Sequence, residues 1–206
     1  MRKLIVLSFI TLDGVMQAPG GPEEDPSGNF KFGGWTVGYF DDVTGSVMGE
    51  QMGHPFDLLL GRRTYDIFAS YWPKADDETA RAINKAKKYV VSKRPVSQDW
   101  EGTIAITGDV VEQVNKVKAE SGPDLQVHGS GNLIQTLLKH DLVDELWLKT
   151  FPVVLGTGKR LFADGALATG WQLLKSQVTP SGVVVASYAR AGEVKIGSFA
   201  PPNATS

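Results

Sequence analysis

The sequence contains no cysteine, and this absence excludes several kinds of chemistry. Disulfide frameworks, zinc–thiolate sites, iron–sulfur clusters and cysteine nucleophiles all require thiols. The three histidines, His54, His128 and His140, lie far apart in the chain and form no pair with metal-ligand spacing. The sequence therefore predicts a protein without a metal site.

Long apolar runs and an excess of one charge are also missing. No run approaches the ~18 apolar residues of a membrane-spanning helix. Lys and Arg total 21 and Asp and Glu total 23, so the chain has no overall positive field with which to hold a nucleic acid. Residues 1–10 have the character of a short signal peptide, but Asp13 follows closely without an Ala-x-Ala cleavage pattern, which favours a buried first strand. We expect a cytoplasmic protein that binds neither membranes nor nucleic acids.

The apolar pattern predicts an α/β fold. Short apolar runs typical of buried strands alternate with segments of helical spacing, and the last runs follow one another. This order predicts a mostly parallel sheet with helices on both faces and an antiparallel C-terminal hairpin that turns at residues 179–182. We expect one domain over residues 1–190 and a flexible tail over 191–206. The expected strands cover 3–10, 58–60, 89–92, 103–106, 125–128, 145–151, 171–178 and 183–188, and the expected helices cover 40–52, 62–70, 79–86, 110–121 and 132–140.

Glycine follows the strand at 125–128, in the order Gly129-Ser130-Gly131-Asn132. In parallel sheets ligands bind beyond the carboxyl ends of the strands. Glycine lets backbone N–H groups approach a phosphate, and a helix N-terminus favours negative charge. A tight strand-to-helix turn without a ligand explains the same residues equally well.

Two further loops at this predicted edge are basic. Residues 61–64 place Arg62 and Arg63 at a helix start, where cations oppose the helix dipole unless an anion binds. Residues 91–94 place Ser92 and basic residues just past another strand. Solvated surface charge is the alternative for both loops. Together, the three loops favour a dinucleotide that carries an extra 2′-phosphate.

Taken in order, residues 8–14, 58–65, 89–94, 127–133 and 152–162 resemble the dihydrofolate reductase fold. They are most similar to the reductase domain of bacterial riboflavin-biosynthesis proteins and its stand-alone relatives. The resemblance implies a three-layer dihydrofolate reductase-like fold, NADPH as cofactor and a homodimer. It also implies hydride transfer to a C=N or C=O of a small planar or phosphoribosyl-type substrate, as in 5-amino-6-(5-phosphoribosylamino)uracil reductase.

The resemblance also implies which residues face the cofactor. Residues 61–64 would hold the adenosine 2′-phosphate and pyrophosphate side, 91–94 would border the adenosine, and 129–133 would cradle the pyrophosphate. In dihydrofolate reductases the peptide within the glycine turn is cis, and its equivalent here is Gly129–Ser130. The implied cofactor-binding residues are Phe9, Met16, Gly61, Arg62, Arg63, Thr64, Val91, Ser92, Arg94, Gly129, Ser130, Gly131, Asn132 and Leu133.

On the substrate side, we expect Trp35, Phe40 and Pro152 to contact a planar substrate. We expect Asp41 to supply the proton, with Asp42 or a bound water as the alternative sources. The alternative for Asp41 is capping of the helix that follows it. The Gly- and Pro-rich loop 17–34 is long enough to close over the site. Three other functions stay open: a non-catalytic NADP(H)-binding module, a dihydrofolate-type pterin reductase and a purely structural dimer.

Overall fold

A computed structural model describes residues 1–97, 99–164 and 166–199. The strands are β1 (Leu4–Thr11), β2 (Phe56–Gly61), β3 (Lys88–Val91), β4 (Thr103–Ile106), β5 (Asp124–Val127), β6 (Glu145–Phe151), β7 (Gly170–Val178) and β8 (Val184–Gly192). They form one sheet in the order β4-β3-β2-β5-β1-β6-β8-β7. Neighbouring strands from β4 to β6 are parallel, whereas β8 is antiparallel to both β6 and β7. The predicted mostly parallel sheet with a C-terminal hairpin is therefore confirmed.

The helices are α1 (Asp42–Met52), α2 (Arg62–Tyr71), α3 (Glu78–Lys85), α4 (Val110–Ala119) and α5 (Gly131–Lys139). Three of them begin at an aspartate cap: Asp41, Asp77 and Asp109 each accept a hydrogen bond from a first-turn backbone N–H, at α1, α3 and α4 respectively. The starts of α2 and α5 have no side-chain cap.

The central strands of the sheet are buried on both faces. In β2, Leu59 packs into the apolar cluster formed with α4 and α5, whereas Leu58 and Leu60 pack into the cluster formed with α2 and α3. Side chains alternate between the two faces of a strand, so both faces must be apolar here. This two-sided burial explains the continuous apolar runs of the sequence and gives the expected three layers.

Some element boundaries differ from the prediction. Helix α1 begins at Asp42 because Asp41 is its cap and Phe40 is extended. Strand β8 continues to Gly192, since it pairs with β7 as far as Gly170, so the first residues of the expected tail are in the sheet. Residues 200–206 lie outside the described residues. No helix in the described residues is long and apolar enough to cross a membrane.

Candidate active site

The carboxyl ends of β2 and β5 meet in a contact that requires glycine. The Gly61 N–H donates to the Gly129 carbonyl oxygen at 3.1 Å. A Cβ on Gly61 would overlap the Ser130 hydroxyl and lie 3.0 Å from the Ser130 nitrogen. Gly129 has φ +149°, and a Cβ there would lie 2.6 Å from Thr64 Oγ1. The loops 61–64 and 129–133 therefore form one continuous surface, and the Gly129–Ser130 peptide is cis as the resemblance implies.

Two unfilled helix N-termini lie at this junction. The first-turn N–H groups of α2 (residues 62–64) and of α5 (residues 131–133) have no acceptor within the described part of the chain. Neither first turn holds an acidic residue. Free N–H groups and the helix dipole together make each end suited to an anion. Because the two ends adjoin, one phosphorylated ligand can contact both.

The third predicted loop reaches the same edge. Val91 pairs with Gly61 in the β2–β3 register, so residues 92–95 lie beside the start of α2. The Arg62 guanidinium donates to the Pro95 carbonyl and, from Nε, to Asp66 Oδ1 at 2.8 Å. Ser92 Oγ closes the turn by accepting from the Arg94 N–H at 3.1 Å. The structure thus brings the three sequence-predicted loops together.

A cleft of about 320 Å³ opens beneath the junction of the two glycine-containing turns. Of the predicted cofactor residues, Phe9, Met16, Thr64, Gly129, Ser130 and Gly131 line it. Another part of the wall is formed by apolar side chains of α1, α2 and α3, at positions that the sequence pattern does not distinguish from the core. These include Met48, Met52, Ile67, Phe68 and Ile83.

The loop 17–34 forms one side of the cleft and is fixed by a carboxylate. Asp25 pairs with Arg63 (Oδ1 to Nη1, 2.9 Å) and with Lys159 (Oδ2 to Nζ, 2.6 Å). Burial opposes ionisation of Asp25, but hydrogen bonds from Lys159 and Ser27 outweigh it and lower the pKa of this carboxyl. Arg63 is therefore held at the edge of the cleft by a partner that an incoming anion can replace.

A second acid of the loop, Glu24, lines the cleft itself. Its carboxylate accepts from the Gly20 N–H at 2.6 Å. Burial raises the pKa of Glu24 despite this hydrogen bond. The shift favours the uncharged form of this carboxyl, so Glu24 opposes an anion at the neighbouring helix N-termini less than an unshifted carboxylate would.

The three predicted substrate contacts are not part of the cleft, and this corrects the expectation. Trp35 is buried, donates from Nε1 to the Gln17 carbonyl at 2.8 Å and packs edge-on against Phe151. Phe40 is 49% exposed just before α1. Pro152 directly follows β6 and lies beside Gly182, which is in the turn between β7 and β8. Trp35 therefore holds the start of loop 17–34 in place. A sequence pattern of aromatic residues cannot distinguish this role from stacking on a substrate.

Asp41 is a structural cap, which corrects its expected role as proton donor. Its Oδ1 accepts from the Thr44 N–H at 2.8 Å, and its Oδ2 accepts from the Ser181 N–H at 3.0 Å. The bond from Thr44 is the largest cause that holds the pKa of Asp41 far below its ordinary value of 3.8. An acid that is ionised at neutral pH and outside the cleft has no proton to give, so Asp41 links α1 to the β7–β8 turn instead.

We expect Asp41→Ala to lower the melting temperature, because it removes the cap and the link to Ser181, and Asp41→Asn to lower it less. The folded-state pKa is below the unfolded value, so the stabilisation by the carboxylate is complete above about pH 4 and is lost as the pH falls further. Thermal unfolding followed by circular dichroism at neutral and acidic pH measures both effects. Loss of dinucleotide binding in a well-folded Asp41→Asn protein would contradict the purely structural role.

Comparisons with known proteins agree with this geometry. The chain matches the family model of the RibD C-terminal domain over residues 2–185. It is 30% identical over 198 residues to the uncharacterized protein YyaP of Bacillus subtilis (strain 168), which covers 91% of this chain and 94% of that protein. It is 28% identical over 108 residues to the uncharacterized protein YwjB of the same strain, which covers 51% of this chain and 57% of that protein.

Solved structures share the fold over almost the whole chain. A protein assigned to riboflavin biosynthesis from Shewanella sp. PV-4 superposes with a TM-score of 0.66 at 24% identity, covering 92% of this chain and 99% of that one. A pyrimidine reductase-like protein from Corynebacterium diphtheriae gives 0.64 at 13% identity, covering 93% of each chain. A dihydrofolate reductase from Enterococcus faecalis, complexed with NADP(H) and RAB-propyl, gives 0.57 at 14% identity, covering 91% and 96%. These likenesses confirm the dihydrofolate reductase-like fold.

Proposed function

Because this chain belongs to the RibD C-terminal domain family, we propose that it is an NADPH-dependent reductase. Its substrate would be a small planar or phosphoribosyl-type molecule with a reducible C=N or C=O, similar to that of 5-amino-6-(5-phosphoribosylamino)uracil reductase. The observation that carries the proposal is the junction of two uncapped helix N-termini at the edge of a cleft, with Arg62 and Arg63 at one of them.

The residues present fit a dinucleotide phosphate. At Gly61 and Gly129 a side chain would overlap Ser130 or Thr64, so glycine at both positions lets the two turns lie in contact and brings their N–H groups to one place. The N–H groups of residues 62–64 and 131–133 would bind the pyrophosphate, and Arg63 the 2′-phosphate. When bound, the nicotinamide supplies the hydride.

The side chains on the other walls of the cleft determine how polar its interior is and what the nicotinamide would contact. Phe9 and Met16 lie on the β1 side of the glycine turn and would face the nicotinamide. Met48, Met52 and Phe68 make the interior largely apolar, which excludes water from a hydride-transfer step. The loop 17–34, fixed by Asp25, supplies the outer wall.

The test is a direct titration of the purified protein with NADPH and with NADH, followed by a search for oxidation of NADPH. We expect NADPH to bind at least about tenfold more tightly, since an Arg–phosphate contact is worth roughly 1.5–3 kcal/mol. Oxidation of bound NADPH by a carbonyl or imine compound supports the reductase. Tight binding without oxidation by any carbonyl, imine or pterin compound favours the binding module, and oxidation by dihydrofolate alone favours the pterin reductase.

We also propose that the protein is a homodimer, with strand β7 in the interface. This edge strand carries exposed apolar side chains at Leu173 (51%), Leu174 (53%) and Val178 (68%). A long edge strand with unpaired backbone groups and exposed apolar side chains tends to pair with another strand. Such a surface is typical of an interface between proteins. A second copy of the same chain supplies a matching strand.

A further inference from the structure

A buried lysine lies at the inner end of the cleft. Lys149 is on β6 opposite Phe9 of β1 and is 3% exposed. Its Nζ lies 5.4 Å from the centre of the Phe9 ring. A small cavity of about 40 Å³ is lined by Lys149 together with Ser8, Phe9 and His128, which also line the main cleft. The ammonium group therefore lies at a pocket that adjoins the cleft.

The charge of Lys149 has no acidic partner in the part of the chain that the structure describes. Its Nζ donates to Gln51 Oε1 at 2.5 Å, and among the described residues no carboxylate lies within ion-pair distance. Other buried lysines are better compensated. Lys118 pairs with Asp144 at 2.6 Å, and Lys88 donates to two backbone carbonyls and lies over the Trp100 ring. An ammonium has three donors, so Lys149 keeps two for a ligand.

The surrounding polar network holds Lys149 in place. Gln126 donates from Nε2 to the Gln51 carbonyl at 2.9 Å, which leaves its Oε1 to accept from His128 Nε2 at 3.1 Å. Burial, reinforced by the charge of Lys149, lowers the pKa of His128 to about 3, so this imidazole is neutral. Lys149 is consequently the only cation among the side chains described around the inner pocket.

Burial also lowers the pKa of Lys149, to about 8, so the ammonium form still predominates at neutral pH. A buried charge without a partner is unfavourable for folding, and a well-packed apolar side chain of similar size would be at least as stable. An ionisable group with a perturbed pKa and an unfavourable burial, placed at a pocket that adjoins a cleft, is typical of a functional site.

We propose that Lys149 is a substrate-binding residue whose ammonium binds an anionic or carbonyl oxygen on the ring that enters the cleft. The proposal rests on the proposed function in treating the cleft as a substrate site, and it adds the substrate class. A ring with an oxo, enolate or carboxylate oxygen at its inner edge would be accepted. A ring that presents a cationic or amidine-like edge, as a pterin does to a carboxylate, would be rejected because it places donors against a donor.

Benzoate and benzamidine provide a matched pair of probes, because they have nearly the same shape and opposite charge. In the full-length protein we expect benzoate to bind at least about tenfold more tightly than benzamidine, as one charge-assisted hydrogen bond provides. Lys149→Met should remove this preference, Lys149→Arg should retain part of it, and the exposed Lys175→Met should leave it unchanged. Isothermal titration measures the affinities, and a crystal soaked in benzoate should show its carboxylate bonded to Lys149 Nζ.

Equal affinities for the two probes, no detectable benzoate binding, or a preference that survives in Lys149→Met would each overturn the assignment. If Lys149→Met does not fold, the comparison of probes in the unaltered protein and the soaked crystal decide the question. NADPH is titrated in parallel. Benzoate preference without NADPH binding would refute the reductase and keep the lysine assignment, whereas NADPH binding without benzoate preference would refute the lysine assignment alone.

Discussion

Arg63→Ala is expected to weaken NADPH binding by about tenfold and to leave NADH binding nearly unchanged. The Arg63 side chain is 46% exposed beside the uncapped start of α2, and its partner Asp25 keeps a second ion pair with Lys159. The loop 17–34 therefore stays anchored when the guanidinium is removed. The free energy of a half-exposed contact with a phosphate is at the low end of the range for charge-assisted hydrogen bonds, about 1.5 kcal/mol. This free energy corresponds to about a factor of ten in the dissociation constant.

The control for this substitution is Arg81→Ala, which removes an exposed arginine that pairs with Asp76 next to α3. It changes the net charge by the same amount and should leave both affinities unchanged. Arg63→Lys should be intermediate, because an ammonium retains the charge but not the paired donors of guanidinium. Equal losses for NADPH and NADH in Arg63→Ala would show that Arg63 does not bind the 2′-phosphate.

Gly61→Ala is expected to destabilise the fold by roughly 1–3 kcal/mol and to weaken NADPH binding at the same time. The added Cβ would overlap the Ser130 hydroxyl and lie 3.0 Å from both the Ser130 Cβ and the Ser130 nitrogen. Relief requires the turn at 129–131 to move away from the start of α2, which separates the two helix ends that we propose bind the pyrophosphate. Chemical denaturation and NADPH titration of the same preparation measure both effects.

The matched control is Gly49→Ala, in the middle of α1. A Cβ there has nothing within 4 Å. Alanine is a better helix former than glycine, so this variant should be more stable by about 0.5–1 kcal/mol with unchanged NADPH affinity. Full NADPH affinity in Gly61→Ala would contradict the proposal that contact between the two turns forms the cofactor site.

Local patterns are sufficient to predict the fold and the meeting of three loops at one edge of the sheet. Apolar runs without alternation require strands that are buried on both faces, and glycine or arginine directly after a strand places those residues at the carboxyl edge of a parallel sheet. For this reason residues 61–64, 91–94 and 129–133 were predicted together and lie together. The information is local because strand, turn and helix start follow each other within a few residues.

Side-chain roles inside the cleft could not be predicted in the same way. Asp41 has the sequence context of a cap and also of a catalytic acid, and only the Ser181 N–H, 140 residues away, shows that both oxygens are occupied. In the sequence, Trp35 is only an aromatic residue next to a loop. Its structural role follows from its contacts with Phe151 and the Gln17 carbonyl. In both cases a distant segment determines what the side chain contacts.

By itself, the sequence determined the order of strands and helices, the absence of thiol chemistry and the glycine- and arginine-containing turns at the sheet edge, since each depends on neighbouring residues. Only the tertiary structure decided which side chains enclose the cleft and which charge lies at its inner end. Lys149 reads as one of the polar residues of β6, beside Thr150, and its partner Gln51 is 98 positions away. Whether a lysine is solvated or buried without a carboxylate depends on packing between distant elements, which no local pattern records.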